Sequence, residues 1–80
     1  MILKAIVMDR SGWKLFSIEM KDTPTKAELS AEKYLESVGL EFIGTGMGTA
    51  DYVAHNRKEI KAAREYLKHS TVPAFETDYE

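Results

Sequence analysis

The sequence predicts an α+β domain in which two helices pack on an antiparallel sheet of three to four strands. Short runs rich in β-branched and apolar side chains alternate with two longer stretches whose apolar residues recur every three to four positions. Each of the longer stretches opens with a helix-capping pattern. The predicted order of elements along the chain is ββαββα.

The composition is that of one ordinary globular domain. Eighty residues, 44% hydrophobic and 30% charged, are enough for a single modest core. Because the formal net charge is -2, a basic surface for nucleic acid would have to be local. The lack of cysteine excludes disulfides and thiolate metal sites. The apolar N-terminal run is short and contains a lysine, so we expect a cytoplasmic protein without a membrane span.

The first two strands are predicted to form a hairpin. Residues 2–8 and 13–20 are the apolar, β-branched runs, and Asp9 and Gly12 between them suit a type I turn with a left-handed glycine. In this register one face of the hairpin would need a covering element or a partner, since it is apolar. That outer face carries Ile6, Met8, Trp13 and Leu15.

The clearest helix is the stretch from Thr25 to Gly39. Thr25 and Glu28 form a T-x-x-E capping box, and Gly39 supplies a left-handed residue after the last turn. Thr23, followed by Pro24, is an alternative start. An apolar stripe would lie on the core, formed by Ala27, Ala31, Tyr34, Leu35 and Val38. A neighbouring acidic stripe is either solvated or docks a basic partner, and consists of Glu28, Glu32 and Glu36.

The second half repeats the pattern of two strands and a helix. Residues 40–43 and 49–55 are the predicted strands, joined by the glycine-rich run 44–48. Asn56 and Glu59 give a second capping pattern, which places the second helix at about 57–68. Its core side carries Ile60, Ala63 and Leu67. Its basic stripe comprises Arg57, Lys61, Arg64 and Lys68.

The C-terminal residues 71–80 are predicted to be an acidic, loosely ordered tail that follows a single domain formed by residues 1–70. Pro73 interrupts regular structure there, and the last residues are mostly acidic. Phe75 and Tyr79 are spaced among these acids, which makes them candidate anchors for a partner.

Two sequence patterns could indicate a ligand-binding or catalytic site. Gly44, Gly46 and Gly48 could bring backbone N–H groups to an anion, but the spacing differs from the nucleotide-binding fingerprints, and a strand is expected to follow. If a helix instead began at Thr49, then Asp51, His55 and Glu59 would share one face as a metal site or an acid–base pair. The cap at Asn56 argues against that longer helix.

We therefore expect a non-enzymatic protein-interaction module, acting as an inhibitor or regulatory subunit without a cofactor or metal. A protein partner, or a second copy of the chain, would meet the outer hairpin face, the acidic stripe and the tail aromatics. One alternative is a nucleic-acid-binding domain that uses the basic stripe. Another is a small ligand- or metal-binding enzyme built on the glycine-rich run.

Overall fold

The computed structural model describes residues 12–79, and it confirms the α+β class: one four-stranded antiparallel sheet with two helices. The predicted strand at residues 2–8, with Ile6 and Met8, lies outside the described residues. The later predicted elements follow in the predicted order. The elements are β1 (Lys14–Glu19), α1 (Lys26–Ser37), β2 (Glu41–Thr45), β3 (Thr49–Ala54), α2 (Arg57–Lys68) and β4 (Ala74–Asp78).

The strands lie side by side in the order β2-β3-β1-β4, with every neighbouring pair antiparallel. Phe16 of β1 stands opposite Tyr52 of β3 on one side and Glu76 of β4 on the other. Each helix joins two strands that a third strand separates in the sheet. This interleaving is the split β-α-β, or ferredoxin-like, arrangement, a scaffold that hosts many unrelated functions.

Helix α1 begins and ends as its sequence predicts. The Thr25 hydroxyl accepts from the Glu28 N–H at 3.2 Å, and the Glu28 carboxylate accepts from the Thr25 N–H at 2.9 Å. Gly39 has φ 109°, and the N–H of Leu40 donates to the Leu35 carbonyl at 3.1 Å. This bond and the one from Gly39 to Glu36 form a Schellman motif, so the chain turns sharply into β2.

Helix α2 begins where the second capping pattern predicts. The Asn56 side chain accepts from the Glu59 N–H at 2.9 Å. Residues Thr49–Ala54 are therefore a strand, and the alternative helix starting at Thr49 is wrong. A β-bulge between Phe42 and Gly44 interrupts the pairing of β2 with β3.

Both helices cover the same face of the sheet. Side chains alternate along each strand, so the even-numbered residues of β1 and β3 face the helices. The stripes predicted for both helices supply the other side of this core, and Tyr34 and Tyr66 stack with ring centroids 4.4 Å apart. The buried cluster comprises Phe16, Ile18, Ala31, Leu35, Leu40, Ala50, Tyr52, Ala54, Ile60, Ala63 and Val72.

Residues 74–78 differ from the loose tail that the sequence predicts, because they form strand β4 along the outer edge of β1. The alternation explains this: Ala74 and Glu76 face the helix side, while Phe75 and Thr77 face away. Two ion pairs help to fix the strand, Arg64 with Glu76 and Lys14 with Asp78.

Neither helix within residues 12–79 combines the length and the apolar character that a bilayer crossing requires.

Candidate functional site

A group of polar and aromatic contacts lies at one end of the sheet, beside the first turn of α2. We call it the His55 cluster; its members are Trp13, Glu41, His55, Glu59 and Tyr79. Glu41 begins β2, His55 follows β3, and Trp13 precedes β1, so the cluster runs across neighbouring strands. The Trp13 and His55 rings meet edge to face at 4.6 Å, and Trp13 stacks with Tyr79 at 6.1 Å.

His55 contacts a carboxylate with each ring nitrogen. Nδ1 lies 2.9 Å from Glu59 Oε1, and Nε2 lies 3.1 Å from Glu41 Oε1. The His55 backbone N–H also donates to Glu59 Oε1, at 2.8 Å. Both nitrogens can donate together only when the ring is protonated. Burial opposes that charge, but the hydrogen bonds to Glu59 and Glu41 outweigh it and raise the pKa of His55 above its ordinary value.

The turn after α1 makes room for Glu59. A Cβ on Gly39 would lie 2.9 Å from Glu59 Oε2, so only glycine allows the carboxylate its present position without a shift. Gly39 therefore has two roles, since its positive φ ends α1 and its lack of a side chain admits Glu59.

The structure brings together residues that the sequence analysis assigned to different sites. Trp13 was predicted on the hairpin face, Tyr79 in the tail, and His55 with Glu59 in the enzyme alternative. Glu41 was missed, because its contact with His55 depends on β2 lying beside β3. The i, i+4 spacing of His55 and Glu59 is visible in the sequence, but there it suggests one shared helix face, whereas His55 follows β3 and Glu59 lies in the first turn of α2.

The carboxylate–histidine–carboxylate set that the longer helix would have formed is not assembled. Asp51 lies on β3, where it accepts from the Thr49 hydroxyl at 3.0 Å. Among residues 12–79, no group of three potential metal ligands has the arrangement to hold a metal ion.

The glycine-rich run is the hairpin loop between β2 and β3 and continues directly into strand Thr49–Ala54. Gly44 and Gly48 have φ 137° and 86°, as the bulge and the turn require. Because no helix follows the loop directly, it lacks the dipole that would favour an anion. The ligand-binding alternative at Gly44, Gly46 and Gly48 gains no support from this geometry.

The predicted acidic stripe on α1 is shorter than expected. Glu28 is only 2% exposed, and its carboxylate also accepts from the Lys21 backbone at 3.3 Å and the Lys21 ammonium at 3.1 Å. The hydrogen bond from Thr25, with those from Lys21, holds the pKa of Glu28 below its usual value. Glu28 is thus a structural cap and cannot face a partner, which leaves Glu32 and Glu36.

Glu36 also has a structural role, because its carboxylate accepts a hydrogen bond from the hydroxyl of buried Tyr52 at 3.2 Å. Burial, together with the charges of Glu32 and Glu36, raises the pKa of Tyr52, so its hydroxyl keeps its proton.

The basic stripe of α2 is exposed as predicted. Arg64 donates to both carboxylate oxygens of Glu76, at 2.9 and 2.6 Å, and this contact lowers the pKa of Glu76. In the part of the chain that the structure describes, Arg57, Lys61 and Lys68 belong to no ion pair. Among these residues no ion pair joins the basic stripe to the acidic stripe of α1.

Large apolar side chains are exposed at both edges of the sheet. Phe42 and Ile43 of β2 are 47% and 44% exposed, and Met47 in the following loop is fully exposed. Phe75 of β4, one of the predicted partner-binding residues, is 60% exposed. Leu15 of the predicted hairpin face is half-buried.

Comparison of the chain with protein-family models, curated proteins and solved structures gives no match.

Proposed function

We propose that this chain is a non-enzymatic protein-interaction module, which acts as an inhibitor or regulatory subunit by binding a partner protein at the edge strand β2. The observation that carries the proposal is the exposure of three large apolar side chains there. Phe42, Ile43 and Met47 follow one another along the edge strand and its loop. Clustered apolar exposure of this kind marks interaction surfaces, whereas scattered single residues do not.

The backbone of β2 supports the same proposal. Within residues 12–79, β2 pairs only with β3, so its outer N–H and C=O groups face away from the sheet. Edge strands are commonly protected by lysine, proline, other charged residues or bulges; β2 has no lysine or proline, and its protection is limited to Glu41 and the bulge after Phe42. A partner strand added here would gain main-chain hydrogen bonds, and pockets for Phe42 and Ile43 would supply specificity.

The test is the native mass of the protein, purified gently from its source and measured by light scattering. We expect a stoichiometric complex or a dimer that Ile43→Lys disrupts. Leu29→Lys is the matched control, because Leu29 is similarly exposed but lies on α1. A monomer without a partner, or equal loss of the complex in both variants, would contradict the proposal.

We propose a second candidate function, the binding of nucleic acid phosphates by the basic stripe of α2. It is favoured by the exposure of Arg57, Lys61 and Lys68 without carboxylate partners in the described chain. Three such contacts would make the logarithm of affinity fall with the logarithm of salt with a slope of roughly -2 to -3. Binding that does not weaken with salt, or that survives Lys61→Glu unchanged, would refute this candidate.

A further inference from the structure

The side chain of Met47 differs in exposure from the other methionine within residues 12–79. Met47 lies in the loop between β2 and β3, and its side chain is fully exposed. Met20 is half-buried and packs against the core. Because an apolar side chain stabilises a fold through the area that it buries, the Met47 side chain contributes little to the stability of the domain itself.

Hydrogen bonds of the loop backbone hold Met47 in this position. The Gly46 carbonyl accepts from the Gly48 N–H at 2.7 Å, which closes a three-residue turn centred on Met47. The Gly46 N–H donates to the Thr49 carbonyl at 2.9 Å. The Gly48 carbonyl accepts from the Met20 N–H at 2.8 Å, which ties the loop to the end of β1. Since both sequence neighbours of Met47 are glycines, neither has a side chain that could cover the sulfur.

A thioether with this exposure is accessible to peroxides. The sulfur lone pair attacks one peroxide oxygen, the O–O bond breaks, and an S–O bond forms. Sulfur loses two electrons, the peroxide gains them, and with hydrogen peroxide the second oxygen leaves as water. The product, methionine sulfoxide, is polar, and methionine sulfoxide reductases convert it back to the thioether.

We infer that Met47 is a reversible oxidation site, at which a peroxide weakens the contact of the β2 edge with its partner. The inference rests on the proposed function and adds the regulation of that surface. Phe42 and Ile43 lie on the strand that leads into the loop, so Met47 continues their run of exposed apolar side chains. Methionine suits such a surface because its flexible side chain adapts to a partner, and oxidation makes that side chain polar.

The first measurement is the rate at which dilute hydrogen peroxide oxidises each methionine, determined by tryptic digestion and mass spectrometry. Met20 and Met47 fall in different tryptic peptides, so the two rates are obtained separately. We expect Met47 to react at least about tenfold faster than Met20, because susceptibility follows exposure. The Tm should not change, since the Met47 side chain is fully exposed. Equal rates, or a Tm that falls as Met47 reacts, would overturn the assignment of this site.

The second measurement is the native mass of the gently purified protein before and after peroxide treatment. We expect oxidation to weaken the complex or dimer about tenfold, which is the effect of removing one apolar side chain from a contact. A methionine sulfoxide reductase should restore the affinity. In Met47→Leu, which has no sulfur at this position, peroxide should no longer change the affinity. Met20→Leu is the matched control and should stay as sensitive to peroxide as the unaltered chain.

The outcomes separate this inference from the proposed function. If the complex forms but survives oxidation of Met47, the regulation is refuted and the edge-strand proposal stands. If no complex or dimer forms before oxidation, the proposed function fails and the regulation fails with it. The ratio of the two oxidation rates then still decides whether Met47 is a selective oxidation site.

Discussion

Raising the pH from about 5.5 to about 8.5 should destabilise this domain, because His55 loses the proton that lets both of its ring nitrogens donate. The direction of the stability change follows from the direction in which the pKa of His55 is shifted. The pKa of His55 is raised above its ordinary 6.5 in the folded protein. The stabilisation is therefore complete below the unfolded pKa and is lost as the pH rises through the folded pKa.

The size of the stability loss follows from how exposed the two carboxylates that contact His55 are. A neutral imidazole has one N–H, so one of the two carboxylates must lose its hydrogen bond. Glu41 is 64% exposed and Glu59 15%, so the Glu41 contact is the weaker one. Losing it, and reducing the remaining bond to a neutral one, should cost about 1–2 kcal/mol in all. For a domain of this size that corresponds to a fall in Tm of about 4–16 °C.

The assay is thermal unfolding followed by circular dichroism across this pH range. Trp13 is the only tryptophan, and its ring contacts His55, so its fluorescence offers a second probe of the same titration. His55→Gln should remove most of the pH dependence between about pH 6 and 8.5. His69→Gln is the control variant, because it removes an exposed histidine that lies outside the His55 cluster, 4.0 Å from Glu65. A Tm that stays constant or rises with pH, or equal effects of the two variants, would refute the reasoning.

Three further predictions concern stability, each measured by urea unfolding. Thr25→Ala should cost about 1 kcal/mol, whereas Thr23→Ala should cost less than about 0.5 kcal/mol; equal losses would mean that Thr25 is not the cap. Gly39→Ala should destabilise more than Gly48→Ala, since both have positive φ but only Gly39 lies against Glu59; the reverse order would contradict this. Tyr52→Phe removes a hydroxyl that donates at 3.2 Å from a buried ring, and should cost about 1 kcal/mol; unchanged stability would show that the bond contributes nothing.

The helices could be predicted because their signals are local. Thr25 and Glu28 determine each other's hydrogen bonds within one turn, and Gly39 ends the same helix. The Asn56 cap likewise favours a helix start at residue 57, which leaves residues 49–54 for a strand. The sequence could not show that Glu28 is buried, because its contact with Lys21 depends on how the chain enters the helix.

Strand β4 and the His55 cluster escaped prediction because they depend on distant pairings. Acidic residues with a proline have the composition of a tail, and only the free edge of β1 makes them a strand. His55 meets Glu41 because β2 returns beside β3, and Trp13 meets His55 because β1 lies on the other side. Neither neighbour can be deduced from local spacing.

The position of β1 in the middle of the sheet has a consequence for how the chain folds during synthesis. Both of its neighbours come later in the sequence: Lys14 pairs with Ala54 in β3 and with Asp78 in β4. Among the strands of residues 12–79, only the β2–β3 hairpin joins residues that are close along the chain, and long-range pairings form slowly. On the ribosome, β1 therefore lacks its first described neighbour until β3 has emerged, and its second until residues 74–78 follow. Chaperones that bind exposed apolar strands would meet this nascent chain through Phe16 and Ile18, which are hidden from solvent in the finished domain.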